Sequence, residues 1–110
     1  MEGFIKGEII VIPFPFSDLS ASKRRPALVL ADIPGEDIIL CQITSKPISD
    51  GFAVSISSKD FAQGSLAKDS NIRPNRIFTA SKSLIIRKVG LVNEDIITEV
   101  RNKIVSLLDQ

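Results

Sequence analysis

The sequence predicts a mainly-β domain, a small barrel of short strands packed against one C-terminal helix. Two observations carry this. Short aliphatic runs rich in Ile and Val recur from Ile9 to Leu91, each bounded by Pro, Gly, Asp or Ser, and strands punctuated so closely favour a small barrel. After Asn93 the spacing of apolar residues changes to one, three or four, which is the signature of a helix.

The first strand is Ile9–Ile12, led in by Lys6-Gly7-Glu8 and rich in β-branched side chains. It ends at Pro13, because Pro13-Phe14-Pro15-Phe16 cannot form a regular ladder in the middle of a sheet. That tetrapeptide reads as an extended exit with two rings on one side, which either cap a core or offer a stacking surface for a base. Ser17 to Lys23 is a polar loop. The second strand is Pro26–Ala31, with Pro26 at its first residues or on an edge, since it has no N–H to give a ladder. Arg24 and Arg25 are then held at the mouth of a rigid strand where a loop ends.

A turn at Ile33 to Asp37 leads to the third strand, Ile38–Ser45, mostly apolar and therefore central, with Cys41 as a small hydrophobe. Pro47 and Ser49-Asp50-Gly51 break the chain. In Phe52–Ile56 the larger apolar side chains alternate, so this is a strand buried on one face. Ser57 to Ser70 is polar loop with a short turn. Asn75–Ala80 and Leu84–Leu91 are the fifth and sixth strands. The helix spans Glu94–Leu108, with Asn93 as N-cap and Glu94 and Asp95 at the positive end of its dipole. Ile96, Ile97, Val100, Ile104, Leu107 and Leu108 form its apolar face.

At 110 residues, 44% hydrophobic and 25% charged, the chain is one globular domain (1–110) and no disordered tail. With one Cys it has no intramolecular disulfide, and with no His it has no imidazole chemistry and no Ser-His or Cys-His nucleophile pair. No apolar segment is long enough for a membrane helix and Met1-Glu2-Gly3 opens no signal peptide, so a cytoplasmic protein without membrane attachment is expected. No metal or cofactor is expected.

The net charge of +1 means that any affinity for nucleic acid must come from local patches. There are two: Lys23, Arg24 and Arg25, and a run of six basic residues with one acid, Lys68, Asp69, Arg73, Arg76, Lys82, Arg87 and Lys88. Such clusters either suit a polyanion or are solvated strand edges that guard against aggregation. Arg24 and Arg25 present planar forks that fit a phosphate, or simply keep a strand end soluble.

The order of parts resembles the MazF/PemK (Kid) family of bacterial toxin–antitoxin toxins. The matching pieces are Lys6-Gly7-Glu8-Ile9-Ile10, Arg25-Pro26-Ala27-Leu28-Val29-Leu30, Gln42-Ile43-Thr44-Ser45, the segment Asp69 to Ile77 with Arg73-Pro74-Asn75-Arg76, and the C-terminal helix. The resemblance implies an SH3-like small β-barrel (CcdB/PemK-like) and a homodimer. It implies a metal-independent, sequence-specific endoribonuclease that cuts single-stranded RNA to 2′,3′-cyclic phosphate and 5′-hydroxyl ends. A cognate antitoxin would hold it off with a disordered acidic segment, and operator DNA would be met only through the toxin–antitoxin complex.

Position by position, Arg25 matches the catalytic arginine, Thr44 the catalytic threonine, and Arg73 an arginine at the RNA site of some members. Lys23, Arg24, Ser45, Asn75 and Arg76 are the further RNA-binding candidates. Some members carry Asp where this chain has Asn75, and His or Glu in the loop where it has Asp18, so the general base is unassigned. Two other function classes remain open on the sequence. One is a barrel toxin that acts by protein binding, as gyrase poisons do; the other is a degenerate member that only binds antitoxin or operator complexes.

Overall fold

The computed structural model describes residues 3–14 and 23–110. Three of its strands are apolar on both sides: β1 (Glu8–Phe14), β2 (Lys23–Asp32) and β3 (Asp37–Thr44). Successive side chains of a strand point to opposite faces, so runs of this kind can only sit in the middle of a sheet with both faces covered. The remaining strands are β4 (Val54–Ile56), β5 (Phe61–Gly64), β6 (Ser70–Ser81) and β7 (Arg87–Val92), and the chain closes with helix α1 (Glu94–Leu108). All seven strands form one antiparallel sheet in the order β4-β6-β3-β2-β1-β7-β5, curled into a half-barrel.

Each face of the sheet has its own core. On one side Ile9, Leu28, Cys41, Ile43, Val54 and Ile72 pack with Ile96 and Val100 of α1. On the other, Ile10, Ile12, Phe14, Ala27, Val29, Ile38 and Leu40 are closed over by Phe4, Phe78, Ala80 and Ile85. Burying one such large aliphatic or aromatic side chain stabilises by about 1.5–3 kcal/mol. The Phe14 ring meets Phe78 edge-on, centroids 4.9 Å apart, which settles Phe14 as a core residue. The helix has the expected span, and the Asn93 side chain accepts the Ile96 N–H at 3.1 Å. Leu108, expected on its apolar face, is instead 78% exposed.

Several boundaries differ from the sequence reading. β1 runs on through Pro13 to Phe14, and β2 begins at Lys23, three residues before Pro26. The reason is an edge: among the described residues only β1 pairs with β2 from Lys23 to Pro26, and β3 joins at Ala27. The missing N–H of Pro26 therefore costs no bond to β3. β4 is shorter than expected and β6 starts at Ser70, five residues early. The expected sixth strand divides into a 3-10 turn at Lys82–Leu84 and β7. β5 occupies a stretch expected to be loop. Gly64, at φ +68°, lets β5 lie against β7, since a Cβ there would collide with the Val89 carbonyl. Pro15, Phe16 and the loop from Ser17 to Ser22, with Asp18, lie outside the described residues.

Candidate functional site

The two residues singled out for chemistry come onto one face of the sheet through strand alternation. β2 and β3 pair Val29 with Leu40, Leu28 with Cys41 and Ala27 with Gln42. The pairing ends there, and Arg25 and Thr44 each lie two residues beyond the last pair. Both lie on the face of Ala27, Val29, Gln42 and Leu40, because residues two apart share a face. On its other side Arg25 pairs with Ile12. Arg25 and Thr44 thus stand at the open end of the second core. Thr44 is 7% exposed, and its Oγ1 accepts the Lys46 N–H at 3.2 Å. A hydroxyl has one donor and two acceptor positions, so its proton remains available to donate. Arg25 has no ion-pair partner among the described residues.

β6 adds to the same face. Thr44 pairs with Asn71, which in turn pairs with Ser55 of β4. The Asn71 side chain accepts from Ser55 Oγ at 2.9 Å and donates to the Lys46 carbonyl at 3.0 Å. Thr44 and Asn71 together clamp the turn after β3 and leave Ser45 exposed at its rim. The sequence does not single out Asn71; its only sign there is its place inside the Asp69 to Ile77 segment. Two residues on, Arg73 is held by Asp50, Nη2 to Oδ2 at 3.1 Å, and its buried Nε has no partner among the described residues. The Phe52 N–H, then the Arg73 guanidinium and the Ala53 N–H, hold the Asp50 carboxyl below its ordinary range.

Beyond Arg73 the ladder is interrupted. Cys41 pairs with Ile77 and Ile43 with Ile72, so residues 73 to 76 of β6 face Gln42 alone. Pro74 is buried there, whereas Asn75 and Arg76 are exposed. The Arg73 carbonyl, released from the ladder, accepts the Cys41 thiol. Burial pushes that thiol up to about 12. Cys41 is thus a core hydrophobe, as its sequence context implied, and also the donor that satisfies the bulge.

Lys23, two residues before Arg25, is exposed on the Arg25 face, whereas Arg24 points to the opposite one. There a cleft of about 360 Å³ is lined by Arg24, Arg25, Pro26, Val11, Arg87 and Val89, with Ser65 to Ala67 as its far wall. The basic run from Lys68 to Lys88 is not one surface. Lys82 pairs with Asp32 at 2.7 Å; Lys88 pairs with Glu8 at 3.3 Å and lies over the Phe4 ring. With Arg73 tied to Asp50, the residues of that run without an ion pair among the described residues are Lys68, Arg76 and Arg87.

A curled seven-stranded antiparallel sheet with one C-terminal helix is the fold of the MazF toxins. The chain superposes on a MazE–MazF structure from Deinococcus radiodurans with a TM-score of 0.78, at 22% identity and over 99% of each chain. It superposes on an endoribonuclease in complex with its cognate antitoxin from a mycobacterial species with a TM-score of 0.77, at 12% identity, over 96% of this chain and 95% of that one. The Mycobacterium tuberculosis toxin MazF-mt6 gives 0.74 at 16% identity, over 93% and 96%. No curated protein matches the sequence. The model of the PemK-like, MazF-like toxins of type II toxin–antitoxin systems matches residues 5–108, and the chain belongs to that family.

Proposed function

We propose that this toxin is a sequence-specific endoribonuclease of single-stranded RNA, working without a metal, with Arg25 and Thr44 as its catalytic residues. The observation that supports the reading is that both side chains lie on one face of the sheet, each two residues beyond the Ala27–Gln42 pair. RNA supplies its own nucleophile. The 2′-oxygen attacks the adjacent phosphorus, the bond to the 5′-oxygen breaks, and the 2′-proton leaves as the 5′-oxygen gains one. The products are a 2′,3′-cyclic phosphate and a 5′-hydroxyl. Negative charge gathers on the phosphorane oxygens, and the Arg25 fork can meet two of them in parallel. The Thr44 hydroxyl, with its oxygen fixed by Lys46 N–H, donates to one of the same two non-bridging oxygens or to the leaving 5′-oxygen.

Lys23, Arg24, Ser45, Arg73, Asn75 and Arg76 are the RNA contacts in this reading. Asn75 and Arg76 are free to reach bases, while Arg73 must exchange Asp50 for a phosphate. An amide does not act as a base near neutral pH, so Asn75 reads a base edge and does not move the proton. The toxin works in the cytoplasm as a homodimer. Ile5, Ile77, Leu84, Ile86, Val105 and Leu108 are large apolar side chains left exposed on one copy, which favours association. It is restrained by a cognate antitoxin and reaches operator DNA only in that complex. Structures similar to this one include toxin–antitoxin complexes, which supports the partner. The test is to incubate the purified protein with a long RNA and EDTA and map the new 5′ ends. Defined cuts with 5′-hydroxyls support the reading; intact RNA, or cleavage that EDTA abolishes, sinks it.

A further inference from the structure

We infer that the cleft between Arg24 and Arg87 is a second phosphate site, which holds the backbone of the RNA beyond the scissile bond. The inference rests on the endoribonuclease reading above. Arg87, Val11 and Pro26 pair across β7, β1 and β2, so they form one row on one face. Arg24 is two residues from Pro26 and stands beside that row, opposite Pro13. Two guanidinium groups therefore flank an apolar floor. Among the described residues nothing acidic lines the cleft, and neither Arg24 nor Arg87 has an ion-pair partner. Two cations on one cleft with no acid among its lining residues favour an anion there.

The shape fits a single strand. The far wall, Ser65 to Ala67, is brought in by the close packing of β5 on β7 that Gly64 allows. A positively charged groove with an apolar bed can track a single-stranded backbone without reading its sequence. Its position fits as well. β2 has no β3 neighbour from Lys23 to Pro26, so a strand can cross that free edge from one face to the other. Arg25 lies on the face of Thr44 and is also among the residues that line the cleft, so the two sites adjoin at that residue. In the sequence Arg87 is one more residue of a basic run. Register is what takes it out of the run and sets it beside Arg24.

The experiment compares wild type with Arg87→Gln, which keeps much of the stem and loses the charge. The probe is an oligonucleotide carrying the mapped cleavage site, with a 2′-deoxy sugar at the cut so that it binds intact. The Kd of Arg87→Gln should rise about tenfold or more, the range of one lost charge-assisted hydrogen bond. The slope of log Kd against log salt should become shallower by about 0.7, one phosphate contact fewer on a single strand. On cleavable RNA, KM should rise with little change in kcat. Arg87→Lys should restore the salt slope. If wild type cleaves and Arg87→Gln matches it in Kd and slope, this assignment falls alone. If wild type neither cleaves nor binds, the endoribonuclease reading falls and takes this site with it. If Arg87→Gln weakens only capture of the antitoxin, or only dimerisation by light scattering, the cleft is a protein contact and the assignment is wrong.

Discussion

If Arg25 is catalytic as proposed, replacing it by Ala should abolish cleavage and leave folding intact. The side chain is half-buried and has no ion pair among the described residues, and its backbone is fixed by pairing with Ile12. Truncating a group so weakly tied changes stability by no more than about 0.5 kcal/mol. In a chain of this size that moves Tm by about 4 °C at most. The transition state behaves differently. Loss of one aimed donor at a developing oxyanion costs about 100- to 1,000-fold in rate, or about 2.7–4 kcal/mol. Arg25→Lys should fall in between, because it keeps the charge and loses the second parallel bond. Thr44→Val should lose a similar amount of activity, but with a visible cost in stability. It leaves the Lys46 N–H without its acceptor, worth about 0.5–1.5 kcal/mol. The assay is initial-rate cleavage of a defined RNA, run beside a thermal melt of each variant. Wild-type rates from Arg25→Ala would end the catalytic assignment, and lost cleavage with a collapsed melt would make Arg25 structural.

Asn75→Asp should lower cleavage if the amide reads a base, and raise it if a carboxylate there takes the proton; an unchanged rate would place Asn75 outside the site. The Asp50–Arg73 pair should make the turn after β3 sensitive to acid. Asp50 is held below the ordinary carboxylate value of 3.8, so its contribution is complete above that value and is lost as pH falls through the lower, folded one. Melts of wild type and Asp50→Asn down through that range should converge, and parallel curves would show that the pair is idle. Cys41 is fully buried with its thiol pushed up to about 12, so it should resist alkylation near neutral pH until the chain unfolds. Rapid labelling of native protein would contradict the buried bulge. Light scattering at micromolar concentration should give about twice the 12.0 kDa chain mass, and a monomer alone would count against the dimer.

How far the fold could be read from the sequence depended on where each signal lay. The helix was legible to its end residues because Asn93 and a three-to-four spacing are both local. β1 to β3 were legible because unbroken aliphatic runs have few other uses. β5 was not, since Phe61-Ala62-Gln63-Gly64 is largely exposed and held by its neighbour β7 rather than by a buried face of its own. The start of β2 was hidden by Pro26, whose effect depends on whether a second strand lies alongside. The site divides in the same way. Arg25 and Thr44 are singled out in the sequence only by their motifs; the face each occupies follows from strand alternation. The Arg73–Asp50 bond joins residues 23 apart in sequence, with nothing in either segment to announce it. The basic run misled because charge counted along the chain ignores acids such as Asp32 and Glu8 that the fold brings alongside.

The interruption opposite Gln42 has a consequence for how such a toxin can change its target. Residues 73 to 76 contribute no pairs to β3, and the Arg73 carbonyl is answered instead by the Cys41 thiol of β3. Asn75 and Arg76 are therefore carried by the sheet without helping to hold it together. Their side chains can be exchanged, singly or as a pair, at almost no cost to folding. If Asn75 and Arg76 contact RNA as proposed, recognition would be written on a stretch that the architecture leaves blank, and library selection there should shift RNA preference without disturbing the pairing of β2 and β3.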